Sequence, residues 1–164
     1  MQKKSLVLVL GAGASSEVNL PVGADLKRQI ADRLDIRFPN GIRQVSGDHI
    51  VTEAFRHIAA ATKGGQCDIN SLLQVSRLIS DAMPQAISID NFIDSHRNDD
   101  RIALCGKLAI ARCILEAEAG SKLTVDHSNI YNKLNFGALE NTWFTAFFKL
   151  LTENCQKEEL PERL

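Results

Sequence analysis

The chain has 164 residues, of which 45% are hydrophobic and 24% charged, and its formal net charge is −1 at pH 7. This length suffices for one domain with a hydrophobic core, and a charge so near zero gives no field that would draw the protein to nucleic acid or an anionic membrane. The longest apolar run, residues 6–10, is far too short for a membrane span or a signal-peptide core, so we expect a cytoplasmic protein with no membrane or nucleic-acid partner.

The first predicted element is a buried strand over residues 5–10. This run is apolar on both alternating faces and is followed by a glycine, which is typical of a strand covered on both sides. Residues 11–15, with the sequence G-A-G-A-S, follow as a turn that we call the glycine loop. A helix is then predicted over residues 21–36, because leucine and isoleucine recur at four-residue spacing from Leu26 onwards.

Five more helices are predicted downstream from apolar periodicity, from capping residues such as Asp48, and from glycine or proline breaks. They cover residues 48–62, 68–83, 89–96, 100–119 and 141–154. The helix at residues 100–119 is apolar around nearly its whole circumference, which favours a position in the middle of a fold. Gly106 lowers the stability of that helix, so its presence predicts close packing there.

This series leaves the predicted strand without clear partners. A strand buried on both faces needs neighbours for its backbone groups, and the chain offers only weak candidates at residues 42–46 and 122–125. Either these segments supply the sheet, or the partner strands lie beyond Leu164, or another chain supplies them. A homodimer is the expected closed arrangement, since the aromatic face of residues 141–154 also needs cover.

The four cysteines are scattered along the chain, and no CxxC pair occurs among Cys67, Cys105, Cys113 and Cys155. We therefore predict no metal site, because zinc sites usually draw on closely spaced cysteine pairs. Cys105 and Cys113 fall in an apolar helical pattern, where free cysteine packs as a small hydrophobic side chain. Reduced, structural thiols are the expectation for a cytosolic chain.

The glycine loop has the residue types that phosphate binding requires. Gly11 permits a tight turn, and Gly13, which lacks a side chain, lets a pyrophosphate approach the backbone N–H groups ahead of a helix. Ser16 stands where the dinucleotide fingerprint has its third glycine, and no acidic residue ends a second strand, so an ordinary dehydrogenase is disfavoured. The alternative is that the glycines simply make a strand-to-helix turn.

A longer pattern around the glycine loop resembles the sirtuin signature. In that signature, G-A-G-x-S is followed after a short spacer by a glycine, an aliphatic residue and a proline. Here Leu20 and Pro21 follow the loop, and Asn19 takes the place of the glycine before the aliphatic residue. Val22 and Gly23 replace the acidic and aromatic pair behind the proline, which leaves Asp25 as the nearest acidic residue to fill the polar role.

With these departures from the signature, the chain resembles the divergent bacterial sirtuin-like proteins more than the protein deacylases. Several of those bacterial proteins hydrolyse NAD in phage defence. Further stretches are similar to the helical region of those proteins, namely residues 88–96, 106–111, 114–118 and 141–144. The resemblance implies a helix-rich α/β fold over residues 1–164: a partial, Rossmann-like sirtuin-type domain with one N-terminal strand followed mostly by helices. Residues 156–164 are expected to form a charged tail.

The resemblance also implies a site for NAD or ADP-ribose, with NAD as ligand or substrate. The residues assigned to it are Gly11, Ala12, Gly13, Ala14, Ser15, Pro21, Asp25, Asp90 and Asn91. Asp90 and Asn91 have an alternative interpretation as the polar start of a helix.

Sirtuin-type catalysis needs an asparagine and an aspartate in an N-x-D loop, and a histidine that acts as general base. Ser88 and Asp90 have the spacing of that loop, but the short serine side chain cannot make the contacts of asparagine. His127 is the one histidine well downstream, and we expect it to be an ordinary surface residue. No catalytic residue is assigned, and the catalytic loop is expected beyond Leu164.

Three functions remain open from the sequence. The first is an NAD-binding sirtuin-like domain whose intact form cleaves the nicotinamide–ribose bond in bacterial defence. The second is a catalytically silent nucleotide-binding or assembly module, and the third is a helical interaction protein with a fortuitous glycine turn.

Overall fold

The structure is a computed structural model that describes residues 9, 11, 13–61, 69–124 and 136–153. Seven α-helices and one 3₁₀ helix occur in this part of the chain. They are α1 (Gly13–Ser16), α2 (Gly23–Leu34), α3 (His49–Ala61), α4 (Ile69–Ala82), α5 (Ile89–Ser95), α6 (Asp100–Ala119), the 3₁₀ helix (Phe136–Leu139) and α7 (Trp143–Thr152).

The predicted α/β, Rossmann-like fold class is wrong, because the described residues form helices and connections with no β-strand. Arg37 and Ser46 form an isolated antiparallel β-bridge that does not extend into a strand. Of the predicted strand at residues 5–10, Val9 is described; it is not in a strand, and 89% of its surface is exposed. The other residues of that strand lie outside the described part.

The segment at residues 42–46, a candidate partner strand, folds as a connection because glycines bend the chain on either side of it. Gly41 and Gly47 have φ values of 70° and 78°, in the left-handed region that L side chains rarely adopt. Ile42 and Val45 are exposed between them and do not pack on a sheet. The weak strand pattern of this segment is thus overruled by the turns that flank it.

The chain divides into two compact units. The central unit covers Gly23–Glu116, and the terminal unit combines Met1–Val22 with Ala117–Leu164. The terminal unit draws on both ends of the chain, so contacts within it join residues that are far apart in sequence.

Four helices supply the core of the central unit. Helix α4 packs against α2 and α3, and fully buried side chains from all three meet those of α6. This core includes Ile30, Leu34, Phe55, Leu72, Ile79, Cys105, Ala109 and Cys113. Burial of each large apolar side chain stabilises the fold by about 1.5–3 kcal/mol, so this cluster holds the unit together.

Helix α6 confirms the predicted range of residues 100–119, but not burial on every side. Its buried residues lie along one face, and Leu115 is 63% exposed. Gly106 confirms the predicted close packing, since a Cβ atom there would lie 2.7 Å from Cδ1 of Ile93 on α5. The glycine therefore leaves room for the Ile93 side chain of α5 against α6, which offsets its cost in helix stability.

A cluster of charged side chains joins three helices of the central unit. Asp48 caps α3 by accepting hydrogen bonds from the N–H groups of Ile50 (2.8 Å) and Val51 (3.0 Å). Its other oxygen lies 3.0 Å from Nε of Arg112 on α6 and 3.9 Å from Nη1 of Arg33 on α2. One carboxylate thus serves as helix cap and as a link between helices.

No helix in the described part of the chain is both long and apolar enough to cross a membrane.

Candidate functional site

The glycine loop belongs to the terminal unit and leads into a single helical turn. The N–H of Ala14 donates to the carbonyl of Gly11 at 3.0 Å, and the Ser16 hydroxyl donates to the carbonyl of Gly13 at 2.7 Å. These two bonds fix the backbone of the loop. Ala12 lies outside the described residues.

Asn19 ends this turn in a left-handed conformation, with a φ of 65°. The N–H of Asn19 donates to the carbonyl of Ser16 at 3.1 Å, and that of Leu20 donates to Ser15 at 3.0 Å. Glycine and asparagine are the residues that adopt this conformation most readily. The position at which the sirtuin signature has glycine is therefore one where the backbone itself calls for glycine or asparagine.

Trp143, the first residue of α7, is tied to the turn that follows the glycine loop. Its indole N–H donates to the carbonyl of Ala14 at 3.0 Å, and its backbone N–H donates to the Glu17 carboxylate at 2.8 Å. The Glu17 carboxylate therefore caps the N-terminus of α7, because the side chain of the N-cap residue Thr142 makes no capping hydrogen bond. The two bonds set the position of the indole ring beside the glycine loop.

A cavity of about 390 Å³ lies between the glycine loop and α7. Trp143 and Phe144 form an aromatic wall, with their rings 6.0 Å apart and nearly perpendicular. The other lining residues are Gly11, Ala14, Ser15, Val18, Leu20 and Leu123. All of them belong to the terminal unit, so the site is built within that unit alone.

The two glycines of the loop face open space. A Cβ atom built at Gly11 or at Gly13 would meet no atom of the described residues within 4 Å. Packing against the described part of the chain therefore does not require glycine at these positions. An incoming group that must reach the backbone is a physical reason for a glycine in such a place.

The described lining of the cavity contains no ionisable side chain. Glu17, the nearest acidic residue along the chain, already accepts the N–H of Trp143. Such a lining can hold a flat, uncharged ring, but it offers no general acid or base for bond cleavage.

The remaining predicted site residues serve local structure or lie in the other unit. Pro21 belongs to the terminal unit and does not line the cavity, whereas Asp25, Asp90 and Asn91 belong to the central unit. Asp25 forms an exposed ion pair with Arg28 at 3.1 Å on α2.

Asp90 and Asn91 confirm the alternative interpretation as a helix start. They lie in the first turn of α5, where the N–H of Asn91 donates to the hydroxyl of the N-cap residue Ser88 at 3.0 Å. Ser88 is thus a helix cap. His127 lies outside the described residues.

Sequence reasoning missed the aromatic wall. Trp143 and Phe144 were interpreted as core or interface residues, because nothing near them in the sequence indicates that they face a loop near residue 11. Their contact with that loop depends on the pairing of the two ends of the chain.

A scan against protein-family models finds no match for this chain, and searches among curated proteins and solved structures find no similar protein either.

Proposed function

We propose that the terminal unit binds a dinucleotide of the NAD or ADP-ribose type. In this proposal a flat ring of the ligand occupies the aromatic cavity, and its pyrophosphate lies against the open backbone at Gly11 and Gly13. The observation that carries the proposal is the direct border between the glycine loop and a cavity with an aromatic wall.

The cavity suits the ring of such a ligand in size and chemistry. Its volume of about 390 Å³ falls within the range of roughly 300–1,000 Å³ that small-molecule sites have. Trp143 and Phe144 offer aromatic surfaces, against which a base can stack at little conformational cost. The Ser15 hydroxyl adds a polar group at the edge of the apolar lining.

The open glycines suit the phosphates. A pyrophosphate can accept hydrogen bonds from backbone N–H groups where no side chain blocks its approach. Open space around both glycines supports this role, because packing against the residues that the structure describes gives no other reason for them.

The lining favours binding without turnover by these residues. Cleavage of the nicotinamide–ribose bond in the sirtuin manner needs an asparagine and a histidine, and the described lining has neither. The silent nucleotide-binding module is therefore the form of the proposal that this site supports. The resemblance to the bacterial sirtuin-like NAD hydrolases rests on the signature at residues 11–21, with Asn19 in its glycine position, and on the helical stretches named above.

Trp143 provides a direct assay, since it is the single tryptophan of the chain. Titration with NAD or ADP-ribose is expected to change its fluorescence. Adenosine and inorganic pyrophosphate, tested separately, report ring and phosphate binding. A Gly13→Val variant should weaken dinucleotide binding by about tenfold or more, because the side chain blocks charge-assisted hydrogen bonds to the phosphates.

Gly23→Val is the matched control, because Gly23 has equally open surroundings but lies in the central unit. It should bind as the parent does. Equal binding by Gly13→Val and the parent protein would remove the phosphate-binding role of the loop. Nicotinamide release by the purified chain is expected to be negligible, and robust turnover would show that catalytic residues lie elsewhere in it.

A further inference from the structure

The central unit contains a second cavity, of about 310 Å³, with two arginines among its lining residues. Ile36, Phe38 and Leu73 form its apolar wall, and Arg56 on α3 and Arg77 on α4 belong to the same lining. We call it the arginine pocket. It shares no residue with the cavity beside the glycine loop.

The wall of the arginine pocket is held in place by its own backbone. At Gly47 a Cβ atom would lie 2.8 Å from Cα of Ile36, so the two backbone segments are in close contact. The N–H of Gly41 donates to the carbonyl of Phe38 at 3.0 Å and closes a turn at the edge of the pocket. Close packing and this turn fix the connection between α2 and α3 on this side of the pocket.

Arg77 carries a positive charge that no acidic side chain neutralises in the described part of the chain. Its Nε donates to the carbonyl of Leu73 at 3.1 Å, which orients the guanidinium, and it forms no ion pair with any described carboxylate. Arg56 pairs with Glu53 one turn earlier, in a contact where both side chains are about half exposed. Such exposed pairs are weak enough to exchange for a ligand.

We propose that the arginine pocket binds a small organic anion, in which a compact apolar body carries a carboxylate or phosphate head group. The apolar body would pack against Phe38 and Leu73, and the head group would pair with Arg77 and secondarily with Arg56. A planar guanidinium matches the geometry of either head group by two parallel hydrogen bonds. The combination of an apolar wall and an unneutralised arginine is what selects this class of ligand.

Three probes test the proposal by ligand-observed NMR: benzoate, phenyl phosphate and benzyl alcohol. The first two are anions of the proposed class, and they distinguish the two head groups. Benzyl alcohol presents the same ring without charge. It should bind more weakly than the better anion by about tenfold or more. Binding of benzyl alcohol as tight as that of both anions would overturn the proposal, as would failure of both anions to bind.

Three variants locate the binding. Arg77→Met keeps an apolar stem and a good helix former on α4, and it should weaken the better anion by about tenfold or more. Arg56→Met should have a smaller effect, since Arg56 shares its charge with Glu53. Arg43→Met is the control, because Arg43 lies in the same connection but does not line the pocket. Equal binding by Arg77→Met and the parent would overturn the proposal.

Amide chemical shifts of the parent protein give a readout that needs no variant. Addition of the better anion should move the signals of Gly41 and Leu73, and a shift pattern that leaves both unchanged would overturn the assignment. The outcome is independent of the proposed nucleotide site, because Trp143 fluorescence reports that site and the two cavities lie in different units.

Discussion

The indole N–H of Trp143 donates a hydrogen bond of 3.0 Å to the backbone carbonyl of Ala14, across 129 positions of sequence. This bond ties the start of α7 to the glycine loop and holds the aromatic ring at the cavity. Together with the bond from the Trp143 backbone N–H to Glu17, it brings two segments from opposite ends of the chain together, and the candidate site exists because they meet.

Removal of this bond is expected to loosen the site. A Trp143→Phe variant keeps an aromatic ring but loses the indole N–H, so it should lower the free energy of unfolding by about 1 kcal/mol. NAD binding, followed by calorimetry, should weaken as the ring loses its fixed position. Phe147→Leu on the same helix is the comparison, since Phe147 does not line the cavity. A Trp143→Phe protein with unchanged stability and binding would contradict the importance of this contact.

Asp48 is expected to contribute most of the stability of the charged cluster in the central unit. Its side chain is 9% exposed, and Asp48→Asn keeps an oxygen for the α3 cap while removing the charge that faces Arg33 and Arg112. We expect a loss of about 2 kcal/mol in the free energy of unfolding, measured by urea denaturation. Asp48→Ala should lose about 1 kcal/mol more, because the cap is also removed.

Asp25→Asn is the matched control for that measurement. It removes the same charge from the exposed Asp25–Arg28 pair on α2, where solvent screens the interaction. The expected loss in the free energy of unfolding is about 1 kcal/mol or less. Equal losses for the Asp25 and Asp48 variants would show that the buried cluster contributes no more than a surface pair. The Asp25 variant should also bind NAD normally, since Asp25 does not line the cavity beside the glycine loop.

The buried thiol of Cys105 is expected to make the protein sensitive to alkaline pH. Burial, reinforced by the nearby Asp99 charge, raises the pKa of Cys105 from 9.0 to about 12. The folded state holds the proton more tightly than the unfolded state, so this contribution is complete below pH 9.0 and is lost as the pH rises toward 12.

Urea unfolding at about pH 8 and about pH 10.5 measures this dependence. Between these values the parent should lose about 2 kcal/mol more than Cys105→Ala, at about 1.4 kcal/mol per pH unit above the unfolded pKa. Cys113→Ala should show a smaller difference: burial also raises the pKa of Cys113, but the Arg33 guanidinium opposes that shift. Parallel pH profiles for the parent and Cys105→Ala would contradict the prediction.

The expected homodimer stays a prediction, and α7 is the element on which it can be tested. None of the ten residues of α7 is buried, although the helix is rich in phenylalanine and leucine. Light scattering over a concentration series should show a dimer. Leu150, 60% exposed, is a place to disrupt it: Leu150→Glu should shift the equilibrium toward monomer, whereas Ile87→Glu, at an 83% exposed position of the central unit, should not. A monomer at every concentration would exclude the dimer.

The sequence by itself determined those features that depend on a few neighbouring residues. The range of α6 and the cap formed by Asp48 both follow from local rules. Helix periodicity, capping bonds and the cost of glycine are set within one or two turns of chain, so a short window of sequence contains the information.

Tertiary structure alone decided which distant segments meet. The connection at residues 42–46 has apolar residues suited to a strand, but left-handed glycines at both ends limit its pairing to an isolated bridge between Ser46 and Arg37. Trp143 carries no local signal that it faces residue 14. Such contacts depend on how whole helices pack and on how the ends of the chain are brought together. The packing energies that decide them arise between distant segments, which no short window of sequence contains together.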